Sequence, residues 1–498
     1  MNVNPITRLD YPDPDVIRVE DTYYMVSTTM HFMPGCEILQ SFDLVHWEHV
    51  TYVYETLDHT DAQQLKSGQN IYGQGMWAAS LRYHEGRFYI CFVANDTRKT
   101  YLYTSEKIDG PWKKQLIEGF YHDGSLLFDE DGRNYIVYGN DEIWITELNE
   151  DLTAPKKDGL HRLLVSDHKN PELGYEGSHI QKINGYYYLF LIHSLRDRWM
   201  RTEACFYSDS LEGEFTGGDV LCDDRGYCGQ GVAQGGIVDT PDGKWYAMLF
   251  QDSGAVGRIP ILVPVTWKDH FPFFGQNGHV PEEIEVHSTR PGYIYQPLVG
   301  SDDFCNGLLP RWQFNHDPDP RYYHLDALQG TYTITTREVC TELTQAVNTL
   351  TQRMSYPSCA AEVTVDASAL KEGDVAGLCA LQSCYAAVGI TKHHGKYEVL
   401  MLDKKEDGIL DMTERTVVES HQMDFRLEAD FCNMKDEARC YYRVNKGDWL
   451  PIGTVHKLYF KLDHFTGCRF GLFCYAAEET GGSACFRDFK YYDVDEIS

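Results

Sequence analysis

Along residues 1 to about 250 the chain repeats one pattern: a short apolar run, a turn of Asp, Glu, Asn and Gly, then a second apolar run that opens on paired aromatics. It occurs five times, as VIRVEDTYYMV from Val16, LRYHEGRFYICF from Leu81, LLFDEDGRNYIVYG from Leu126, HIQKINGYYYLFL from His179 and IVDTPDGKWYAMLF from Ile237. The tips are Glu-Asp in the first copy and Glu-Gly, Asp-Gly, Asn-Gly and Asp-Gly in the others, the residues that tolerate the positive φ of tight hairpin turns. A hairpin of this size cannot bury both faces alone, so five copies predict five blades stacked around an axis, a five-bladed β-propeller.

From Trp267 to Phe304 the pattern dissolves into His-Phe-Pro-Phe-Phe, Gln-Asn-Gly, Val-Pro-Glu-Glu and Arg-Pro-Gly, which reads as a connector. Short β-rich runs follow: TYTITT, CAAEVTVDA, AAVGITK, KYEVLML, FRLEADF, ARCYYRVN, KLYFKL, RFGLFCYAA and FRDFKYYDV. Many strands with few helical periods predict a two-sheet sandwich. The expected fold is therefore all-β, with a propeller over residues 1–299 and a β-sandwich over 300–498; 498 residues is ample for two cores.

The repeat also predicts which side chains meet. Some 11 to 12 residues before the aromatics of each second run lies an equivalent position, occupied in order by Asp13, Trp77, Asp123, Glu176 and Gln234. Equivalent positions of successive blades face one funnel. A single acid near a turn is ordinarily a solvated or capping residue. Three acids on one axis repel each other and raise at least one pKa, an arrangement that function explains better than folding does. A carboxylic acid opposite a carboxylate can protonate a leaving oxygen while the other activates water, and a third carboxylate beside the acid would keep it protonated nearer neutrality.

Composition narrows the partners. Aromatics make up 13 %, with Tyr 34 and Phe 23, a profile suited to stacking on sugar rings. The formal net charge of -31 disfavours nucleic acid and anionic membrane surfaces, and no segment approaches a membrane span. The 15 cysteines are odd in number and without short paired spacings, and the N-terminus lacks the pattern of an export signal, so the expected location is cytoplasmic. Neither His-x-x-x-His nor paired Cys spacing signals zinc, and the chemistry requires no cofactor.

Asn4-Pro5-Ile6, Tyr11-Pro12-Asp13-Pro14-Asp15, Ser41-Phe42-Asp43-Leu44-Val45-His46-Trp47, Trp77-Ala78-Ala79-Ser80-Leu81-Arg82-Tyr83 and Glu176-Gly177-Ser178-His179-Ile180 resemble glycoside hydrolase family 43. That resemblance implies inversion with Asp13 as general base, Glu176 as general acid and Asp123 as pKa modulator. The implied substrates are short oligosaccharides ending in xylose (β-xylosidase) or α-L-arabinofuranose. A propeller that binds sugar without cleaving it is the reading from another class; loss of an acid would mark it.

Gly257-Arg258 with Leu262-Val263-Pro264-Val265-Thr266-Trp267 is similar to the family segment that brings an arginine to the terminal sugar, so Arg258 is a hydroxyl donor or a buried ion-pair partner. Trp77 stacks on the sugar or belongs to the core. Met30, His31 and Phe32 correspond to a pocket wall, with Met30 and His31 departing from the family pattern; Gln234 stands where many members carry an axial histidine. Asp303-Phe304, Leu309-Pro310-Arg311-Trp312-Gln313-Phe314-Asn315-His316, Asn348-Thr349-Leu350-Thr351-Gln352-Arg353 and Gly373-Asp374-Val375-Ala376-Gly377-Leu378 resemble the concanavalin-like jelly roll appended to family β-xylosidases. That implies a sandwich loop closing the pocket, with Phe465 of His464-Phe465-Thr466-Gly467 as its contact residue. It also allows a structural calcium near Asp488 and association of copies into a homo-oligomer.

Overall fold

The computed structural model describes residues 3–493. Each predicted hairpin grows into a four-stranded antiparallel sheet with its strands in chain order. Blade one comprises Asp15–Val19, Thr22–Val26, Gly35–Ser41 and Glu48–Tyr54; blade two Met76–His84, Arg87–Ala94, Lys99–Ser105 and Lys113–Ile117. Blade three comprises Ser125–Phe128, Asn134–Asn140, Glu142–Leu148 and His161–Ser166. Blade four comprises Glu176–Ile183, Tyr186–Ser194, Arg201–Ser208 and Thr216–Leu221; blade five Ile237–Asp239, Trp245–Asp252, Arg258–Lys268 and Phe271–Phe274. The turns fall where the tip residues predict them. Val19 pairs with Thr22, His84 with Arg87 and Ile183 with Tyr186, with Glu20, Glu85 and Asn184 at φ 55, 47 and 51°, as two-residue hairpins require.

Hydrogen bonds between first strands lace the blades around the axis. Leu81 N–H donates to Asp15 Oδ2 (2.7 Å), Leu126 N–H to Ser80 Oγ (3.1 Å), Ile180 N–H to Ser125 Oγ (3.0 Å) and Gln181 Nε2 to the Ile237 carbonyl (2.8 Å). Arg18 closes the ring on Asp239, 2.5 Å away. A second closure lies outside the axis, where the N-terminal segment runs along blade five. Asn4 exchanges two 2.8 Å bonds with the Leu262 backbone, Ile6 N–H reaches the Pro260 carbonyl (2.8 Å) and Tyr11 N–H the Arg258 carbonyl (3.0 Å).

The second half is a two-sheet sandwich over one apolar core. One sheet contains Leu350–Arg353, Arg469–Tyr475, Val375–Leu381, Tyr385–His393, Lys396–Lys404 and Leu410–Val418; the other contains Tyr323–Asp326, Thr331–Thr335, Ser483–Asp493, Ser358–Asp366, Gln422–Asp430, Glu437–Val444 and Leu450–Lys457. One predicted strand is absent: KLYFKL, residues 457–462, leaves the sheet after Lys457 and runs as irregular chain toward the propeller.

The two halves are interleaved. Phe32–Met33 of the propeller pairs with Gln313–Asn315, which carries it into the first sandwich sheet as a terminal strand. Beside this seam Arg353 Nη1 meets Glu37 Oε2 at 2.8 Å, both side chains under 5 % exposed, and Arg353 Nε donates to the Asp10 carbonyl (2.9 Å). The Arg353 charge overcomes the opposing effect of burial and lowers the Glu37 pKa to about 2.

Candidate active site

Two backbone devices turn the repeat-equivalent residues toward one mouth of the axis. Asp13, Asp123 and Gln234 are left-handed, at φ 52, 47 and 59°, an uncommon conformation for residues with a Cβ, of the kind that gathers at functional sites. Trp77 and Glu176 instead stand at irregularities in their first strands, where the register shifts between Met76 and Ala79 and between Glu176 and His179. Such bulges re-aim a side chain. Gly177, at φ 65°, is required here: a Cβ would lie 2.7 Å from the Gln234 side chain.

All five residues line one cavity of about 210 Å³, together with His122, Asn140, Leu173, Trp199, Arg201, Arg258, Leu462 and Phe465. That is below the roughly 300–1,000 Å³ of drug-sized sites and suits a single sugar ring. Asp13 occupies one wall, where Arg258 Nη1 donates to Oδ1 and Thr28 Oγ1 to Oδ2, each at 2.6 Å. Arg258 is thus both a pocket residue and a buried ion-pair partner. Its Nε lies 3.3 Å from Asp252, which also pairs with Arg201. On the opposite wall Asn140 Nδ2 donates to Glu176 Oε2 (2.9 Å) and Gly177 N–H to Asp123 Oδ2 (3.1 Å). His122 Nε2 is 3.5 Å from both carboxylates.

Burial raises Asp123 to about 6, against the pull of His122 and with the push of Glu176 and Asp13. Burial also raises Glu176, but the hydrogen bond and charge of His122, with Arg201 and Arg258, win and hold it below its ordinary value. His122 itself rises to about 9, its burial outweighed by Asp123 and Glu176. The His122 cation thus favours the ionised form of Glu176, so the expected action of Asp123, keeping Glu176 protonated, is opposed by a neighbouring imidazole. His122 lies outside the repeat register, next to Asp123 in sequence and 3.5 Å from its carboxylate in space.

The roof comes from the sandwich. The segment after Lys457 delivers Leu462 and Phe465 to the cavity; Arg258 stacks on Phe465 at 3.8 Å and Trp77 meets it edge-on at 5.2 Å. Asp10 ties roof to wall, its Oδ1 accepting Arg258 N–H and its Oδ2 Gly467 N–H, both at 2.8 Å. Met30, His31 and Phe32 do not line the pocket, a correction to the pattern-based expectation. Phe32 is consumed by the sandwich strand and lies under Arg469 at 3.4 Å. His31 is 1 % exposed among His316, His464 and Tyr72, and Met30 accepts a hydrogen bond from Thr466 at Sδ. They support the roof from behind. Asp488, in the last strand at φ 53°, does not line the pocket.

Leu173, Trp199, Arg201, Asn140 and Leu462 carry no repeat signal in sequence. Arg201 could have been noticed as the one cation of its strand, and Leu462 by its place three residues before Phe465.

A family model described as glycosyl hydrolases family 43 matches residues 3–272, and one described as beta xylosidase C-terminal concanavalin A-like domain matches residues 301–492. A beta-xylosidase of Formosa agariphila is 27 % identical over 99 % of this chain and 89 % of its own length. A non-reducing end alpha-L-arabinofuranosidase of Bacteroides ovatus is 24 % identical over 82 % of this chain and 79 % of its own. Among solved structures, a bifunctional GH43-CE protein of Bacteroides eggerthii is 42 % identical, with a TM-score of 0.91 over 98 % of this chain; this chain spans 63 % of that protein. A GH43 enzyme engineered for endo-xylanase and exo-arabinofuranosidase activity is 27 % identical, with a TM-score of 0.86 over 99 % of both chains.

Proposed function

The chain belongs to glycosyl hydrolases family 43, and from that membership we propose an exo-acting, inverting glycosidase that releases terminal xylose from short oligosaccharides, with terminal α-L-arabinofuranose as a second substrate. The observation that carries this reading is the small roofed cavity into which Asp13, Asp123 and Glu176 all project. A roof built from Leu462 and Phe465 leaves room for a chain end and excludes a polymer threading through, which favours exo cleavage.

Asp13, aimed by Arg258 and Thr28, takes the proton of the attacking water. Glu176, held by Asn140, protonates the leaving oxygen, and the two act from non-adjacent blades, which favours the wider carboxylate spacing of inverting enzymes. Arg258 donates to sugar hydroxyls, Trp77 and Phe465 enclose the ring, and Gln234 offers its amide to it. When a leaving-group oxygen approaches Glu176, the proton held by the His122, Asp123 and Glu176 group must move to Glu176; these residues titrate as a unit. No cofactor enters this scheme. The cysteines, all unpaired, support a reducing, cytoplasmic setting.

Both pentosides are named among the relatives, so substrate choice is the direct test. Purified protein is incubated with nitrophenyl β-xyloside and nitrophenyl α-L-arabinofuranoside and with xylo-oligosaccharides. Faster release from the xyloside, and xylose as the first oligosaccharide product, is expected. A faster arabinofuranoside makes that the main activity. Sugar binding without release from any of them replaces the enzyme with a binding protein.

A further inference from the structure

We propose that His122, Asp123 and Glu176 form an inhibitory site for a borderline divalent cation, with Zn²⁺ as the reference ion. The consequence for activity rests on the glycosidase reading above; binding rests on geometry alone. Among the described residues these three make one group whose ligand atoms all lie within 4.8 Å of one another. Two of the three separations, from His122 Nε2 to Asp123 Oδ2 and to Glu176 Oε2, are 3.5 Å. Tetrahedral zinc with bonds of about 2.0–2.1 Å to nitrogen and oxygen spaces its ligand atoms about 3.4 Å apart, so only the carboxylate-to-carboxylate distance needs to close.

The carboxylates are already oriented from behind, Glu176 Oε2 by Asn140 and Asp123 Oδ2 by the Gly177 N–H, as outer partners orient metal ligands. One imidazole with two carboxylates suits a borderline ion better than Mg²⁺, which prefers oxygen ligands and keeps its waters. The three side chains line the sugar cavity, so the fourth coordination position faces the volume the substrate would fill. Binding ties up the Glu176 carboxylate that the leaving oxygen must reach, and excludes the sugar.

Calorimetric titration of ZnCl₂ into the full chain tests this, using wild type, His122→Asn and Glu176→Gln, each with and without saturating D-xylose. Two variants on different blades guard against one that misfolds. The expected result is one zinc per wild-type chain that either substitution weakens by about tenfold or more and that xylose displaces, while MgCl₂ gives no matching heat. On wild-type activity Zn²⁺ raises KM and leaves kcat unchanged. Equal zinc uptake by wild type and both variants would overturn the site and assign the ion to the exposed thiols Cys222, Cys228, Cys305 and Cys432. Because calorimetry needs no turnover, a chain inactive on pentosides would still report on the ion.

Discussion

His122 stands 3.5 Å from the Asp123 and Glu176 carboxylates, and its charge opposes the rise of Asp123 and holds Glu176 below its ordinary value. Removing that charge takes away the strongest lowering influence on Glu176, so the acid of His122→Asn stays protonated to higher pH. The basic limb of its kcat/KM profile moves upward, and a limb that stays put or moves down would show that His122 only packs. Glu176→Gln loses about 10²–10⁴-fold in kcat on oligosaccharides and recovers much of it on a nitrophenyl glycoside, whose leaving group needs no proton. Asp13→Asn falls by a similar factor without recovery, because water activation is what is missing. At this scale the sequence disclosed what the repeat register carries, namely Asp13, Trp77, Asp123, Glu176 and Gln234 as neighbours. It hid His122, Asn140 and Arg201, whose arrival depends on how blades turn relative to one another, and it misplaced Met30 to Phe32, whose partners lie near residues 314–316 and 464–469.

Among the elements, the blades were legible because each carries its own turn chemistry. The roof was not, since KLYFKL has the composition of a strand and gives that apolar character to the pocket instead. The roof depends on Asp10, whose two oxygens serve donors from different domains. Asn offers one acceptor and turns an NH₂ toward a buried N–H, so Asp10→Asn leaves a donor unsatisfied at a cost of about 1–3 kcal/mol. Its signature is a KM that rises by more than kcat falls, with longer oligosaccharides becoming relatively better substrates. Equal kinetics would show that Phe465 is held by its stacking on Arg258 alone.

For the molecule as a whole, the Glu37 and Arg353 pair couples pH to the seam between propeller and sandwich. The unfolded Glu37 binds its proton near 4.5 and the folded one near about 2, so acid between these values favours the unfolded chain. The stabilisation is fully present above about pH 4.5 and lost as pH falls toward 2, on the order of 3 kcal/mol. Glu37→Gln therefore shows a shallower drop in Tm across this range than wild type. Arg353→Met, which leaves the buried Glu37 carboxylate only its contact with His49, loses about 3–5 kcal/mol at pH 7. Both are read by thermal unfolding. The two-part architecture was visible in the irregular stretch between Trp267 and Phe304, whereas the seam was not, because it is built from residues some 280 to 340 positions apart.

Threading Phe32–Met33 into the far sheet has a practical corollary for protein engineering. A gene cut in the connector would separate two fragments that each lack a strand or an edge supplied by the other, so the halves cannot serve as interchangeable cassettes. A hybrid joining this propeller to a foreign jelly roll would have to transplant residues 30–33 together with their docking groove, and a library that ignores this would yield aggregates rather than new specificities.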